Sequence, residues 1–502
     1  MLDNSETLAT SAIVLIAIAI LGWGFNRARP YGKIGILSWL QSVVLMAPWL
    51  LFFALFAAGI YLNLVGVLLL LLVSTGIYIY LGNRLRAAGQ DVMLRQQANE
   101  RLQEQQTAQE TQQEQSSNQD APEAPTGRKN PIPEEDLKTI QGLFGIDTFF
   151  NTETIPYQDG AIFKGNLRGD PETVHQQLSH DLEAAFGEKY RLFLVESPEN
   201  KPVVIVLPST NDPQPSTTGQ NVLAVVLMVA TVISSLEAFS LLLGFDLFSN
   251  FERFREAVPF AVGLAIILGA HEVGHRVIAQ RYGIRLSLPF FIPSLQIGSF
   301  GGITRIESLL PSRTILFELA LAGPAVGGLV SLLMLVSGLI LSQPGSLFQV
   351  PTEFFQGSIL VGTLAKVVLG SQLQDTVVDV HPLTVMGWLG LVITALNLMP
   401  AGQLDGGRIV QAIYGRKTAR RATVATLVVL GIVAITNPSN PIPLYWGILI
   451  LFLQRSLERP SLNELTEPDD ARAALGLLAL FLMLATLIPL SPSLAGKLGI
   501  GM

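Results

Sequence analysis

The chain has 502 residues, 49% of them hydrophobic and only 14% charged, against roughly 25% charged in ordinary soluble proteins; a wholly soluble enzyme is excluded. The formal net charge of −7 leaves no basic footprint of the kind nucleic-acid binding needs, so no nucleic-acid partner is expected. There is no cysteine, which excludes disulfides, thiolate metal sites and cysteine nucleophiles. A metal ion in this protein must be held by His, Asp or Glu.

A bilayer-spanning helix takes about 20 apolar residues. Runs of that kind cover residues 8–25, 38–58, 60–81, 221–243, 257–278, 314–342, 383–400 and 471–490. Shorter runs at 422–436 and 441–454 flank Asn437-Pro438-Ser439-Asn440-Pro441. The expectation is an all-α polytopic membrane protein of about eight to ten transmembrane helices, with a small soluble α+β domain inserted. The stretch 355–370, broken by Gly357, Gly362 and Lys366, reads as interfacial or re-entrant. Arg27, Arg84, Arg276 and Arg408 each follow an odd-numbered run, which places those loops on one face, expected to be cytoplasmic or its stromal equivalent. The first ten residues hold Asp3 and Glu6 but no Lys or Arg, unlike a secretory signal or a transit peptide. On that ground a retained first span and a bacterial home, the plasma or thylakoid membrane of a cyanobacterium for example, are expected.

The organisation follows as N-terminal membrane helices (1–89), a linker (90–131), a soluble domain (132–212), a second membrane core (220–455) and a C-terminal membrane helix (456–502). The linker is rich in Gln, Glu, Ser and Pro and nearly free of aliphatic residues, so it cannot bury a core. Between Gln96 and Asp136 nine acidic residues face three basic ones, nearly the whole net charge. The soluble domain alternates helical patterning (Glu134 to Phe144, Pro171 to Phe186) with strand-like stretches (Ala161 to Leu167, Tyr190 to Glu196, Val203 to Leu207). His175 and His180 on its second helix are expected to be solvated.

The chemistry lies in the fifth run, which reads Gly269-Ala270-His271-Glu272-Val273-Gly274-His275. Histidines at i and i+4 share one helix face, as a zinc site needs, and the Glu between them suits a general base for metal-activated water. Ionisable groups inside an apolar run are a functional signal. A hydrolytic zinc site needs a third ligand, and Asp405 in Asn397-Leu398-Met399-Pro400-Ala401-Gly402-Gln403-Leu404-Asp405-Gly406-Gly407 is the candidate, since Pro and Gly interrupt the helix there.

The HEVGH helix followed by NLMPAGQLDGG resembles the site-2 protease family of intramembrane zinc metalloproteases, whose paired motifs are HExxH and N-x-x-P-x-x-x-L-D-G. Gly323-Pro324-Ala325-Val326-Gly327 resembles the family's G-x-x-x-N/S/G motif, with Gly327 where many bacterial members have Asn. Upstream, Gly165-Asn166-Leu167-Arg168-Gly169 is similar to the plant and cyanobacterial branch named for ethylene-dependent gravitropism deficiency and yellow-green leaves. Some members of that branch have lost HExxH; this chain has it. The resemblance implies one zinc ion per chain on His271, His275 and Asp405, with Glu272 activating water and Asn397 orienting or polarising the scissile carbonyl. It also implies cleavage of transmembrane segments of membrane-anchored substrates, by regulated intramembrane proteolysis.

A helical substrate hides its peptide bonds and must be unwound before attack. The segment Ser287 to Arg305 is apolar yet punctuated by Pro289, Pro293, Gly298, Gly301 and Gly302. It suits a hairpin that pairs with an extended substrate, with Ser287, Gly298, Gly301 and Gly302 as pairing candidates. Two competing readings are a transporter or metal-sensing scaffold on the same ligands, and an inactive partner-binding relative.

Overall fold

The computed structural model describes residues 22, 24–57, 66, 70, 73–82, 84–85 and 132–500 apart from 158, 198, 439 and 455. The linker at 90–131, most of the run at 8–25 and much of that at 60–81 lie outside the described residues. The chain divides into two units, residues 1–126 with 427–451, and residues 127–426 with 452–502.

In the first unit, α1 (Gly32–Ala57) lies beside a helical stretch at Val73–Gly82, and Gln41 Nε2 donates to the Tyr78 carbonyl at 3.4 Å. A short apolar helix, Ile442–Leu449, follows the Asn-Pro break.

The second unit opens with α2 (Glu134–Leu143), a hairpin of β1 (Phe149–Tyr157) and β2 (Gly160–Leu167), α3 (Pro171–Phe186) and a hairpin of β3 (Tyr190–Glu196) and β4 (Pro202–Pro208). The sheet is antiparallel in the order β1-β2-β4-β3. Asp170 starts α3 by accepting the amides of Glu172 and Thr173, with Pro171 preset for the first helical position. Strand alternation sends Leu192, Leu194, Val204 and Val206 inward against Leu178 and Leu182, while Phe193, Val195, Ile205 and Leu207 face the other way, half-buried. The sequence reading had no counterpart of β1. Its run FFNTETIPY carries polar residues where the register slips between Asn151 and Glu153, a bulge that breaks the period-two pattern. His175 is buried rather than solvated, with Nε2 3.4 Å from the Leu192 carbonyl. Burial holds its pKa below the ordinary histidine value.

The helical core follows as α4 (Thr218–Leu242), α5 (Phe254–Arg281), α6 (Arg313–Leu341), α7 (Ile359–Leu369), α8 (Pro382–Asn397), α9 (Asp405–Thr436), α10 (Asp470–Leu487) and α11 (Pro492–Leu498). A capping box of Thr217 and Gln220 opens α4, and Ser312 caps α6. Among the described residues five helices are long and apolar enough to cross a membrane: α4, α5, α6, α9 and α10. The 11-residue α7 rises only about 16 Å and falls short of a bilayer core of about 30 Å. Buried Leu316, Phe317 and Ala320 of α6 pack with Ile409 and Ile413 of α9 and Met483 of α10. Two small hairpins interrupt the helices: β5 (Phe290–Ser294) with β6 (Gly298–Ile303), and β7 (Phe348–Pro351) with β8 (Val377–Val380).

Residues 462–464 join the sheet to the helices. Leu194 N donates to Leu462 O (2.7 Å) and Glu464 N to Leu194 O (2.9 Å), while Leu462 N and Asn463 N donate to the carbonyls of Leu310 and Pro311.

Candidate metal centre

His271 and His275 sit on one face of α5, one turn apart. After α8 ends at Asn397 the chain turns sharply and restarts at Asp405, so this carboxylate opens α9 and faces α5. The turn is tight: a β-carbon at Gly406 would lie 1.8 Å from the Leu398 carbonyl oxygen. Nε2 of His271 is 3.1 Å from Nε2 of His275 and 3.2 Å from Asp405 Oδ2; Nε2 of His275 is 3.5 Å from Asp405 Oδ1. His275 and Asp405 are buried.

Zinc bonds of about 2.0–2.1 Å in a tetrahedron place donor atoms about 3.3–3.4 Å apart, close to all three separations. The tautomer agrees. His275 Nδ1 lies 2.7 Å from the Leu319 carbonyl oxygen, an acceptor that keeps the proton on Nδ1 and leaves the Nε2 lone pair pointing at the other two donors. Lone pairs converging at such separations in a buried site call for a cation between them. These side chains therefore fit zinc.

Glu272 points beside the ligands. Its Oε2 accepts from Thr304 Oγ1 at 2.8 Å, and Arg276 Nη2 lies 2.7 Å from Oε1. His271 and Glu272 line a small cavity with Gly301, Gly302, Thr394 and Asn397. Gly301 and Gly302 thus reach the centre. Gly298 sits further along β6, where its carbonyl accepts from Ser234 Oγ. Ser287 lies at the base of the hairpin, its amide donating to Arg305 O and its carbonyl accepting from Arg276. Asn397 lines the cavity, but its Nδ2 donates to the carbonyls of Ile393 (2.9 Å) and Phe300 (3.4 Å), which ties α8 to β6. Gly323 and Gly327 of α6 pack beneath the two histidines.

The other intramembrane polar groups are engaged structurally. Glu237 accepts the Leu247 amide, Glu318 binds Arg472 and Tyr282, Lys366 donates to the Gly370 carbonyl, and His381 accepts the Leu383 amide at the start of α8. Sequence reasoning missed the polar layer behind the ligands. Arg408, read from the sequence as a loop charge, lies in α9, nearly buried, 2.8 Å from Glu458 and 4.0 Å from Asp405, and it donates to the Thr304 carbonyl. Its position three residues after Asp405, one helical turn on, was the available signal.

Two histidines and a carboxylate from separate elements, with a second carboxylate beside them inside a helical membrane core, make this a polytopic membrane protein with the donor set of a mononuclear zinc hydrolase. Residues 259–436 match the model for peptidase family M50, and residues 138–215 match the EGY3 middle domain. The probable zinc metalloprotease EGY2, chloroplastic, of Arabidopsis thaliana is 39% identical over 371 residues, covering 71% of this chain and 65% of that protein. The probable zinc metalloprotease EGY1, chloroplastic, of Arabidopsis thaliana is 36% identical over 410 residues, covering 73% of each chain. The probable zinc metallopeptidase EGY3, chloroplastic, of the same plant is 33% identical over 376 residues, covering 70% of this chain and 65% of that one. The chain thus spans about two-thirds of the length of these relatives. No solved structure matches it. The chain belongs to peptidase family M50, with relatives of the EGY type.

One expectation is corrected. A bacterial plasma or thylakoid membrane was expected, whereas these relatives are chloroplastic plant proteins. That expectation leaned on the first ten residues, which bear on targeting leaders and not on the membrane that houses the folded chain. Residence in a membrane stands, on the apolar helices and the family.

Proposed function

We propose that this chain is a zinc endopeptidase that cuts transmembrane segments of membrane-anchored proteins, the hydrolytic step of regulated intramembrane proteolysis, with Glu272 as general base. The observation that carries the reading is the convergence of three donor atoms at 3.1–3.5 Å with Glu272 opening into the same small cavity. Zinc, when bound, supplies Lewis acidity toward a water molecule and the scissile carbonyl. His271, His275 and Asp405 would hold it. Glu272 takes the proton from the attacking water and returns it to the leaving amine, and its contacts with Thr304 and Arg276 orient it for both transfers.

The substrate has to arrive extended, because a helix keeps its carbonyls in internal hydrogen bonds. β6 brings Gly301 and Gly302 to the cavity wall, and neither residue puts a side chain in the way of a strand laid beside it. The apolar core keeps bulk water from the unwound segment. The exposed Lys417, Arg420 and Arg421, which face the sheet, orient the protein with its sheet region on the side to which positive loops are drawn.

The test is zinc content and cleavage of a model transmembrane substrate, compared for wild type, Glu272→Gln and Asp405→Ala. Glu272→Gln should keep zinc and lose about 10²- to 10⁴-fold in rate; Asp405→Ala should lose both. Undiminished cleavage by Glu272→Gln would remove the base from the reading. Stoichiometric zinc without cleavage in the wild type would favour a transporter or scaffold.

A further inference from the structure

Away from the metal centre, the second unit holds a cleft of about 750 Å³ between the sheet and the non-helical kink of α9 at Gly415. One wall is the outer face of the sheet, the half-buried side chains of Phe193, Val195, Ile205 and Leu207. The facing wall is basic: Arg416, Lys417, Arg420 and Arg421 follow the non-helical Gly415 in α9, and Arg459 joins them. Most of this charge is uncompensated. Among the described residues Lys417, Arg420 and Arg421 have no carboxylate within ion-pair distance, whereas Asp212 at the rim is taken by Arg191 at 3.0 Å. Glu196 and Glu464 are the remaining acids of the lining.

We propose that this cleft is a substrate exosite that binds the segment of the membrane-anchored substrate next to its transmembrane helix, and that it selects segments mixing acidic and apolar residues. The inference rests on the protease reading above. Charge complementarity calls for an anionic occupant, and the opposite wall calls for apolar side chains on the same molecule. An extended peptide meets both, because its successive side chains point to opposite sides. An anionic lipid meets the cations but would have to draw its tails out of the bilayer to cover the sheet.

The distance suits a single substrate chain. From Asp405 to Arg421 is sixteen residues, roughly 26 Å at most when the non-helical Gly415 is allowed an extended step, which an extended peptide covers in about seven or eight residues. The acidic residues are therefore expected within about seven or eight residues of the scissile bond on the basic side. A relay of side chains links the cleft to the metal centre: Arg416 donates to the Glu458 carbonyl at 2.5 Å, and the Glu458 carboxylate holds Arg408 beside Asp405.

The experiment uses the full chain in nanodiscs and one transmembrane substrate with three flanks, carrying three Glu, three Lys or three Ser among apolar residues. The wild type should prefer the Glu flank over the Lys flank by about five- to tenfold in kcat/KM, mostly through KM. Arg420→Glu combined with Arg421→Glu should invert that ratio. In parallel, a fluorescent acidic-apolar peptide is titrated onto the Glu272→Gln protein, with and without the charge reversals. Salt-sensitive binding lost on reversal supports the exosite whether or not cleavage is seen. Equal cleavage of all three flanks, peptide binding indifferent to the reversals, or binding that needs anionic lipid in the disc would overturn it. Failure to cleave any flank alongside intact peptide binding would count against the protease reading alone.

Discussion

Gly323 of α6 stands directly beneath His275 of α5: a β-carbon at position 323 would come within 2.2 Å of Nε2. One turn on, a β-carbon at Gly327 would lie 2.9 Å from Cβ of His271. The glycine pair is thus a packing requirement that lets the two helices close on each other at the metal's depth. Gly323→Ala should push the imidazole aside at an overpacking cost of about 1–3 kcal/mol, and lower zinc affinity about ten- to a hundredfold. Competition with a chelator of known affinity measures this; wild-type affinity would mean the helices separate without cost.

Thr304 holds the carboxylate of Glu272 from a different part of the chain. Thr304→Val keeps the shape and removes the donor, so cleavage should fall about tenfold with zinc unchanged, in keeping with a hydrogen bond to a charged group. Thr304→Ser should restore most of the rate. A pH–rate profile that shifts in the Val variant and returns in the Ser variant separates orientation from general damage.

Arg408 and Glu458 form a nearly buried pair behind Asp405. Removing one partner leaves an unpaired charge, so Arg408→Met should destabilise by about 3–5 kcal/mol. The double variant Arg408→Met with Glu458→Gln should recover much of that loss. Thermal unfolding in nanodiscs reads the cycle; strictly additive effects would show that the pair is not coupled.

Acid should loosen the sheet region through His175. Burial depresses its pKa in the folded chain, so below the unfolded histidine value of about 6.5 the unfolded state binds a proton that the native state refuses. Stability is therefore full above that pH and falls as the pH drops toward the depressed value. Hydrogen exchange over residues 134–208 should speed up between pH 7.5 and 5.5, and His175→Gln should flatten the dependence. Equal acceleration in both proteins would locate the acid sensitivity elsewhere.

What the sequence discloses tracks how local each signal is. The histidine pair is legible because a helix turns a spacing of four into shared proximity, and the long helices are legible from apolar runs. The strands β3 and β4 announce themselves by alternation. By contrast, the contact of Thr304 with Glu272 spans 32 residues and that of Arg408 with the Thr304 carbonyl spans 104; no periodicity encodes either. His175 looked solvated because its burial comes from Leu192 of β3, a partner set by the packing of α3 on the sheet. The correction on the bacterial membrane has a related origin, since the host membrane leaves no mark in local pattern.

The stitch at residues 462–464 gives the sheet a dependence that its sequence position hides. β3 is the edge of its sheet, a row of amides and carbonyls open to pairing; at its middle residue, Leu194, a stretch from the far end of the chain takes both backbone groups while bonding on its other side to Leu310 and Pro311, just ahead of α6. The sheet is consequently no detachable cassette. A version of the protein cut before residue 460, or one lacking residues 132–212, breaks this shared backbone seam, and the first of the two leaves the Leu194 amide and carbonyl of β3 without their partners.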